Sequence, residues 1–422
     1  MRILIVGSGG REHALSVAIA RSKQPSTLFC IGENAGIAEI ASMVSIPLSD
    51  HEGILLYAKK QAIEFAVIGP DEALVQGLAD VFENAGIPCF GPSKRASQLE
   101  GSKSYAKAFM VRNHIPTPSY TTCTTYEAAL AALSQCSFPV VIKADGLALG
   151  KGVVIAQDHH EAEDALKAMM VDKIFASSGE TVVIEEFVSG EEVSLLVLSD
   201  GTVAKPLVSC MDHKRAYDGD QGPNTGGMGV IAPNPFYTEA VASQCMQSIV
   251  MPTIESLKRE GSPFVGCLFF GLMLTPDGPV VIEYNCRFGD PEAQVALSLI
   301  EGDVLSLLLS CRYGTLASET VICKEGSACS VTLASGGYPH AYERGKIITI
   351  DPLASSVFLF HGGTRKTDTG VLVTNGGRVM HVLGVGMCLQ DAIESAYRGV
   401  GAVSFEGKQY RRDIGKKALQ GV

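Results

Sequence analysis

Glu283 and Asn285 stand two apart in Val280-Val-Ile-Glu-Tyr-Asn285, a run with the composition of a strand. Side chains two apart on a strand share a face, so both would present oxygen to one point while Ile282 and Tyr284 take the other face. A carboxylate among apolar neighbours is costly unless it is paired or binds a metal. One acid and one amide, completed by phosphate and water oxygens, suit Mg²⁺. The plain alternative is an acid pairing with Arg287 at a surface strand end. Upstream, Asp212-His-Lys-Arg-Ala-Tyr-Asp-Gly-Asp-Gln-Gly-Pro-Asn-Thr-Gly-Gly-Met-Gly229 packs three acids, three basic residues or histidines and five glycines into eighteen residues. Such a segment cannot pack a core, and long loops are functional or disordered. Two charged, glycine-bearing segments point to a site for a highly charged ligand, such as a nucleotide with metal.

Three further segments offer contacts to phosphate and base. Gly7-Ser-Gly-Gly-Arg-Glu-His13 follows a strand and opens a helix, where free N–H groups and the helix dipole favour an anion. It lacks the third glycine of a dinucleotide fingerprint, because Glu12 stands there. A phosphate or sugar phosphate therefore fits better than NAD, although Glu33 could mimic a ribose-binding acid. Lys143-Ala-Asp-Gly-Leu-Ala-Leu-Gly-Lys-Gly-Val153 joins two strands, and Lys143 and Lys151 could reach phosphate oxygens. Its spacing is not that of a P-loop. Ile184-Glu-Glu-Phe-Val-Ser-Gly-Glu-Glu192 leaves a strand, so its backbone could pair with an adenine edge and Glu192 with ribose hydroxyls. Each of the three, taken alone, is equally a solvated turn. Cys286 would point away from Glu283 and Asn285 by strand alternation, which argues against a nucleophile.

Three regions must position these residues. Residues 1–101 alternate strands (Ile3 to Val6, Thr27 to Ile31, Phe65 to Ile68, Pro88 to Phe90) with helices (Glu12 to Arg21, Ala73 to Ala85). That order predicts a doubly wound parallel sheet, which binds ligands outside the carboxyl ends of its strands. Residues 102–324 open with a helix over Lys103 to Asn113 and a break at Pro116 and Pro118. Within them, about 120–188 reads as a compact α+β unit with strands Val140 to Ala144, Val153 to Ala156 and Val182 to Phe187, and helix His160 to Met170. A long helix near Thr238 to Glu260 follows. Residues 325–422 are strand-rich (Val331 to Ala334, Lys346 to Ile350, Val357 to His361, Val379 to Val385) and carry a helix over Leu389 to Val400.

The chain of 422 residues is 46% hydrophobic and 19% charged, which suits an α/β and α+β multidomain enzyme. Its net charge of −11 argues against nucleic acid. No apolar run approaches a membrane span, and the first strand does not read as a signal peptide. The 12 cysteines lack metal-type pairing and fit reduced thiols, so a cytoplasmic location is expected.

In this order the segments resemble the ATP-grasp superfamily and, within it, the phosphoribosylamine–glycine ligases. The resemblance spans the chain: Val6-Gly-Ser-Gly-Gly-Arg-Glu-His-Ala14, Asn34-Ala-Gly36, Gly91-Pro92, Leu99-Glu-Gly-Ser-Lys103, Ile142 to Gly152 and Ile184 to Phe187. Its most specific parts are Asp212-His-Lys-Arg215, Gly222-Pro-Asn-Thr-Gly-Gly-Met-Gly229 and Glu283-Tyr-Asn-Cys-Arg-Phe-Gly-Asp-Pro-Glu292. The tail adds Ala334-Ser-Gly-Gly-Tyr-Pro339, His361-Gly-Gly-Thr364 and Thr374-Asn-Gly-Gly-Arg378. Two departures stand out: Asp71 occupies a place that usually holds glutamate, with Glu72 beside it, and Gly32-Glu33 replaces Pro-Gly. Leu272 stands where many ATP-grasp enzymes carry an acidic metal ligand, and the glycine ligases share an apolar residue there.

The resemblance implies a central ATP-grasp domain with a mobile lid. It implies that ATP phosphorylates glycine to an acyl phosphate, which the amine of 5-phosphoribosylamine attacks to give glycinamide ribonucleotide in purine biosynthesis. ATP would meet Lys103, Lys143, Lys151, the segment Glu185, Glu186, Phe187 and Val188, and Glu192. Mg²⁺ or Mn²⁺ would bind Glu283 and Asn285. Arg287, Asp290, Lys214 and Asp212 would serve catalysis. Gly9, Gly10, Asp71, Asn224, Thr225, Gly226, Lys366 and Arg378 would hold substrate. A monofunctional monomer, with no nucleic-acid or membrane partner, is expected. The competing readings are a ligase for another acid or amine, a nucleotide-sensing module without catalysis, and an NAD oxidoreductase.

Overall fold

The computed structural model describes residues 1–148 and 152–421. The phosphate-loop lysine Lys151 lies outside the described residues. Five parallel strands form the first sheet, in the order Ser42–Val44, Thr27–Ile31, Arg2–Val6, Phe65–Ile68, Cys89–Phe90. The central strands are apolar from Ile3 to Val6 and from Phe65 to Ile68, as a sheet covered on both faces requires. The order reverses direction between Arg2–Val6 and Phe65–Ile68, so a crevice opens at their carboxyl ends. Helix Gly10–Ala20 starts there. The single helix expected over Ala73 to Ala85 is two, Asp71–Gln76 and Leu78–Asn84. Gly77 divides them at φ 96°, a left-handed conformation that helix interiors exclude.

Two antiparallel sheets follow. The first has the order Tyr120–Cys123, Val182–Glu186, Val140–Ala144, Val153–Ala156, backed by helices Tyr126–Leu133 and His159–Leu166. The second has the order Ala204–Pro206, Glu191–Asp200, Val265–Thr275, Gly278–Asn285. The expected helix near Thr238 to Glu260 is a continuous run, Glu239–Cys245, a wider turn at Met246–Val250, then Met251–Arg259. Pro252 lacks an N–H and cannot close an ordinary turn, which accounts for the widening.

The last sheet is assembled from distant parts of the chain. Its order is Met211–Asp212, Gly229–Ala232, Ser327–Ala334, Arg378–Gly386, Val357–His361. Both strands that flank the charged 212–229 segment therefore belong to the sheet of the C-terminal region. Helix Leu389–Ala402 covers it with Ala392, Ile393, Ala396 and Val400. The strand expected over Lys346 to Ile350 is broken up: Thr349–Ile350 pairs with Val403–Ser404, and Ile347 forms an isolated bridge with Val373. One apolar core joins the regions, running from Ile3 and Ile5 through Leu196 and Phe288 to Phe360 and Leu383. Among the described residues no helix is long and apolar enough to cross a membrane.

Candidate active site

Two groups of polar residues face each other across the crevice. The first lies between the two antiparallel sheets. Glu283 and Asn285 project from the edge strand Gly278–Asn285, with Glu283 opposite Gly271. A Cβ at Gly271 would lie 2.7 Å from Glu283 Cγ, so glycine there leaves room for the carboxylate. Lys214 Nζ stands 3.0 Å from Glu192 Oε2 and 3.4 Å from Glu283 Oε1. Burial opposes the charge on Glu283, but Lys214, Lys143, Lys103 and Arg287 together outweigh it, and its carboxyl lies below the ordinary range. Burial likewise opposes the charge on Lys214, and Glu192, Glu283 and Asp212 more than restore it.

The lysines on this side are tethered. Lys143 Nζ donates to Glu185 Oε2 and to the Ile282 carbonyl, each at 2.9 Å. Lys107 Nζ meets the same Glu185 oxygen at 2.9 Å and Thr117 Oγ1 at 2.8 Å. Burial lowers the Lys107 ammonium to about 8 against the pull of Glu185. The Glu185 side chain thus points inward between two lysines, and its Oε1 is buried without a partner among the described residues. Lys103 Nζ donates to the Gly146 carbonyl at 2.9 Å, which holds the glycine loop. Glu186 accepts from Ser119 Oγ at 2.8 Å, Phe187 is exposed and Val188 half-buried.

Arg287 connects strand and turn. Its Nη2 is 2.9 Å from Asn285 Oδ1 and 2.9 Å from Glu100 Oε1. Glu100 Oε2 accepts from the Cys286 N–H at 2.6 Å, so one buried carboxylate fixes the turn between Asn285 and Arg287. Burial pushes Glu100 up to about 7, against the opposing charge of Arg287. Cys286 is buried and its thiol is raised by burial, which does not suit a nucleophile. Asp71 opens helix Asp71–Gln76 nearby, and its Oδ1 accepts from Glu72 N at 2.9 Å.

The second group lines a cavity of 180 Å³ bounded by Gly9, Gly10, Asp290, Tyr338, Gly362, Gly363, Arg378 and His381. A Cβ on Gly10 would lie 2.5 Å from Gln294 Nε2 and from the His381 ring, so only glycine keeps the space open. Asp290 Oδ2 accepts from Arg11 N at 3.2 Å and faces Arg378 at 3.5 Å; its Oδ1 faces His381 Nε2 at 3.3 Å and Gln294 Nε2 at 2.9 Å. Burial opposes its charge, but Arg378, His381, Arg11 and Gln294 hold it well below the usual range. Arg378 also donates to the carbonyls of Gly226, Gly227 and Asp290, and Tyr338 accepts from Gly226 N at 3.2 Å. Thr225 closes the charged loop by donating N and Oγ1 to the Lys214 carbonyl, each at 2.8 Å, with Asn224 half-buried beside it. Asp212 and Glu292 lie between the two groups, and burial together with mutual repulsion raises Asp212 above its ordinary range.

The structure thus gathers Lys103, Lys143, Glu192, Asp212, Lys214, Glu283, Asn285, Arg287 and Asp290 around one crevice, with Gly9, Gly10, Gly226 and Arg378 at its second end. Lys366 is outside the cavity wall: half-exposed, it meets Glu39 Oε1 at 3.3 Å. Sequence reasoning did not single out Glu100, Lys107, Tyr338 or His381 as site residues. Glu100 and Tyr338 stood within motifs already noted, but Lys107 and His381 read as ordinary helix and strand positions.

The sequence matches the phosphoribosylglycinamide synthetase N domain over residues 1–100, the ATP-grasp (A) domain over 101–293 and the C domain over 328–417. The chain belongs to this family. The phosphoribosylamine–glycine ligase of Caulobacter vibrioides is 45% identical over 100% of this chain and 99% of its own. The bifunctional purine biosynthetic protein ADE1 of Schizosaccharomyces pombe is 43% identical over 99% of this chain but only 53% of its own length. A second bifunctional relative, PUR2,5 of Pichia angusta, is covered to 54%, so the chain spans about half the length of these two. Among solved structures, the Thermotoga maritima phosphoribosylamine–glycine ligase superposes with a TM-score of 0.84 at 36% identity, covering 98% of this chain and 100% of that one. The biotin carboxylase domain of Hydrogenobacter thermophilus 2-oxoglutarate carboxylase reaches 0.77 at 16% identity, over 97% of this chain and 91% of that one, and so shares the fold.

Proposed function

We propose that this chain ligates glycine to 5-phosphoribosylamine using ATP, through glycyl phosphate, giving glycinamide ribonucleotide, ADP and phosphate. The observation that carries this reading is the pairing of two differently built groups across one crevice, in a chain of this family. One is a lysine-ringed Glu283–Asn285 pair, and the other a glycine-lined cavity with Asp290 and Arg378.

A carboxylate is a poor electrophile, and phosphorylation gives it a leaving group. Phosphoryl transfer asks mainly for positioning and charge neutralisation. Lys143 and Lys103 border the nucleotide side, and Lys214 and Arg287 stand where the transferring group would pass. The backbone of Glu185 to Val188 offers an edge for adenine and Glu192 an acid for ribose, while the inward Glu185 side chain orients Lys143. Glu283 and Asn285 fit a divalent cation: both present oxygen on one face, and Gly271 leaves space beside them. They would hold Mg²⁺, or Mn²⁺, which on binding neutralises phosphate charge. The glycine carboxylate oxygen attacks the γ-phosphorus and ADP leaves. The amine nitrogen then attacks the acyl carbon, phosphate leaves, and the amine gives up a proton. Asp290, held ionised, is placed to orient the amine, and Arg378 with Gly9, Gly10 and Gly226 frames the ribose phosphate. The 120–188 unit carries the Lys143 side of the crevice and serves as the lid that shields the acyl phosphate from water. Twelve free cysteines suit a cytoplasmic enzyme. We read it as a monomer.

The test is phosphate release from the purified protein with ATP and Mg²⁺, adding glycine and fresh phosphoribosylamine singly and together, with the product identified by mass. Release that needs both, with glycinamide ribonucleotide formed, supports the reading. Release with a different acid or amine removes these substrates, and no release under any combination removes the ligase.

A further inference from the structure

The charged loop is held from an unexpected place. Within it, Arg215–Tyr217 pairs with Gln221–Asn224 as a small hairpin, and its tip turns through Gly219 (φ 71°) and Asp220 (φ 54°). Its one fully buried apolar side chain is Ala216, too small to fix the hairpin by burial. A short segment near the end of the described chain does so instead. Arg411 is 1% exposed, though it carries a permanent charge. Its Nη1 donates to Asp220 Oδ1 at 2.7 Å and to the Arg215 carbonyl at 3.2 Å, joining the first strand of the hairpin to its tip. Its Nε and Nη2 each meet Asp413 at 2.8 Å. Asp413 Oδ2 accepts from Gly219 N at 2.8 Å, and Asp218 Oδ1 accepts from Arg412 N at 2.7 Å. Gly415 N donates to His213 Nε2 at 3.1 Å, which leaves the His213 Nδ1–H to donate to the Gly229 carbonyl at 3.1 Å. Tyr397 of the covering helix fixes the segment in turn, donating to the Arg411 carbonyl at 2.9 Å and accepting from Ile414 N at 3.0 Å.

We propose that Arg411 is a positioning residue for the reaction: by clamping the hairpin it presets Lys214 and Asn224 at the crevice. The inference rests on the ligase reading for the identity of the substrates. Arg411 touches no reacting atom. It acts through Arg215, which follows Lys214 and opens one strand, and through Asp220 at the tip, four positions before Asn224 at the end of the other strand. A buried charge with three acceptors on the hairpin and tail holds one geometry, whereas a loop closed only by water would sample many. The clamp also makes the C-terminal region part of the substrate site, although it contributes no lysine to the nucleotide side.

Asp220→Asn is the informative variant. The Asp220 side chain is 64% exposed, so the change cuts the clamp at the loop and leaves the Arg411–Asp413 pair in the interior. Three quantities are read on the whole protein: trypsin cleavage after Lys214 and Arg215, Tm, and kcat and KM for each substrate. Cleavage should quicken roughly fivefold or more as the hairpin opens locally. Tm should stay within about 2 °C. kcat/KM for glycine and phosphoribosylamine should fall roughly tenfold, by more than it falls for ATP. Asp220→Glu should restore most of the loss, and Arg411→Lys should reproduce it, since one ammonium cannot hold the Arg215 carbonyl, Asp220 and Asp413 together. Cleavage and kinetics within twofold of wild type in both weakening variants would overturn the proposal. So would faster cleavage with unchanged kinetics, or an activity loss that merely tracks a lower Tm. Wild-type turnover is measured first: its absence refutes the ligase reading and with it the catalytic role of the clamp.

Discussion

The two ends of the crevice are built on opposite plans. At the nucleotide end, Lys103, Lys107, Lys143 and Lys214 are long, flexible cations held by Glu185, Glu192, Glu283 and backbone carbonyls. Their charges are balanced within the protein, in ion pairs that an incoming polyphosphate and cation can exchange for new ones. At the other end, Gly9, Gly10, Gly362 and Gly363 wall a cavity whose shape is fixed by backbone, and Asp290 accepts from Arg11 N and Gln294 Nε2 and faces Arg378 and His381. On the proposed function, the first end would recognise charge and tolerate rearrangement, and the second would recognise shape and tolerate little. Arg287 joins them, since it touches Asn285 on one side and continues through Phe288 to Asp290 on the other.

The largest effect should follow from breaking the charge-recognising end. Glu283→Ala removes the carboxylate of the two residues proposed to hold a cation and leaves Lys214 without one of its partners. Turnover should fall by roughly 10²–10³-fold, as when one electrostatic contact to a transferring group is lost. A rate within threefold of wild type would show that Glu283 holds no cation. Next comes the shape-recognising end. Gly10→Ala places a methyl group 2.5 Å from Gln294 and His381. Steady-state kinetics should show KM for phosphoribosylamine raised roughly tenfold or more, with nucleotide affinity unchanged, because ordering a substrate in a shaped cavity tolerates little displacement. An equal rise in both would erase the distinction between the two ends. Glu100→Gln tests the joint. It keeps a hydrogen bond to Cys286 N but loses the acceptor facing Arg287, and kcat should drop roughly tenfold with KM for ATP little changed.

The smallest effect is on stability, and it arises at the shape-recognising end. Burial lowers His13 to about 3 and both His361 and His381 to about 4. Each lies below its unfolded value near 6.5, so between those values only the unfolded chain binds the proton. Their contribution is complete above about pH 6.5 and is lost as pH falls toward 4, by up to about 1.4 kcal/mol per pH unit for each. Glu100, raised to about 7, acts in the opposite direction over part of this window. His213, also lowered to about 4, adds to the loss, while Asp212 and Glu292, both raised, oppose it; four histidines against three carboxyls leave a net loss in acid. The urea midpoint should be lower at pH 5 than at pH 7, and an unchanged or higher midpoint would show that these histidines are accessible to protons in the fold.

Much of this arrangement can be read along the chain. The apolar runs at Arg2–Val6 and Phe65–Ile68, spaced by helices, announce the parallel sheet and its crevice. Strand alternation places Glu283 and Asn285 on one face. What cannot be read are the pairings between distant segments. Nothing local says that Met211–Asp212 and Gly229–Ala232 join a sheet with Ser327–Ala334, because register across a hundred residues is settled by packing and not by pattern. The same holds for Glu100 on Cys286, Lys107 on Glu185 and Arg411 on the charged loop: each is a charged residue whose helix or tail context suggests a solvated surface. The inward turn of Glu185 follows from strand alternation, but the two lysines that meet it are 42 and 78 positions away.

The central claim is that the charge-recognising end activates a carboxylate that the other end then presents to an amine. The most direct measurement is a single turnover with ATP, phosphoribosylamine and glycine labelled with ¹⁸O in both carboxylate oxygens, followed by mass analysis of the released phosphate and of the product. Passage through glycyl phosphate predicts one labelled oxygen in the phosphate and one retained in the product amide. Unlabelled phosphate would mean that ATP does not phosphorylate the glycine carboxylate, and the assignment of roles to the two ends would be wrong.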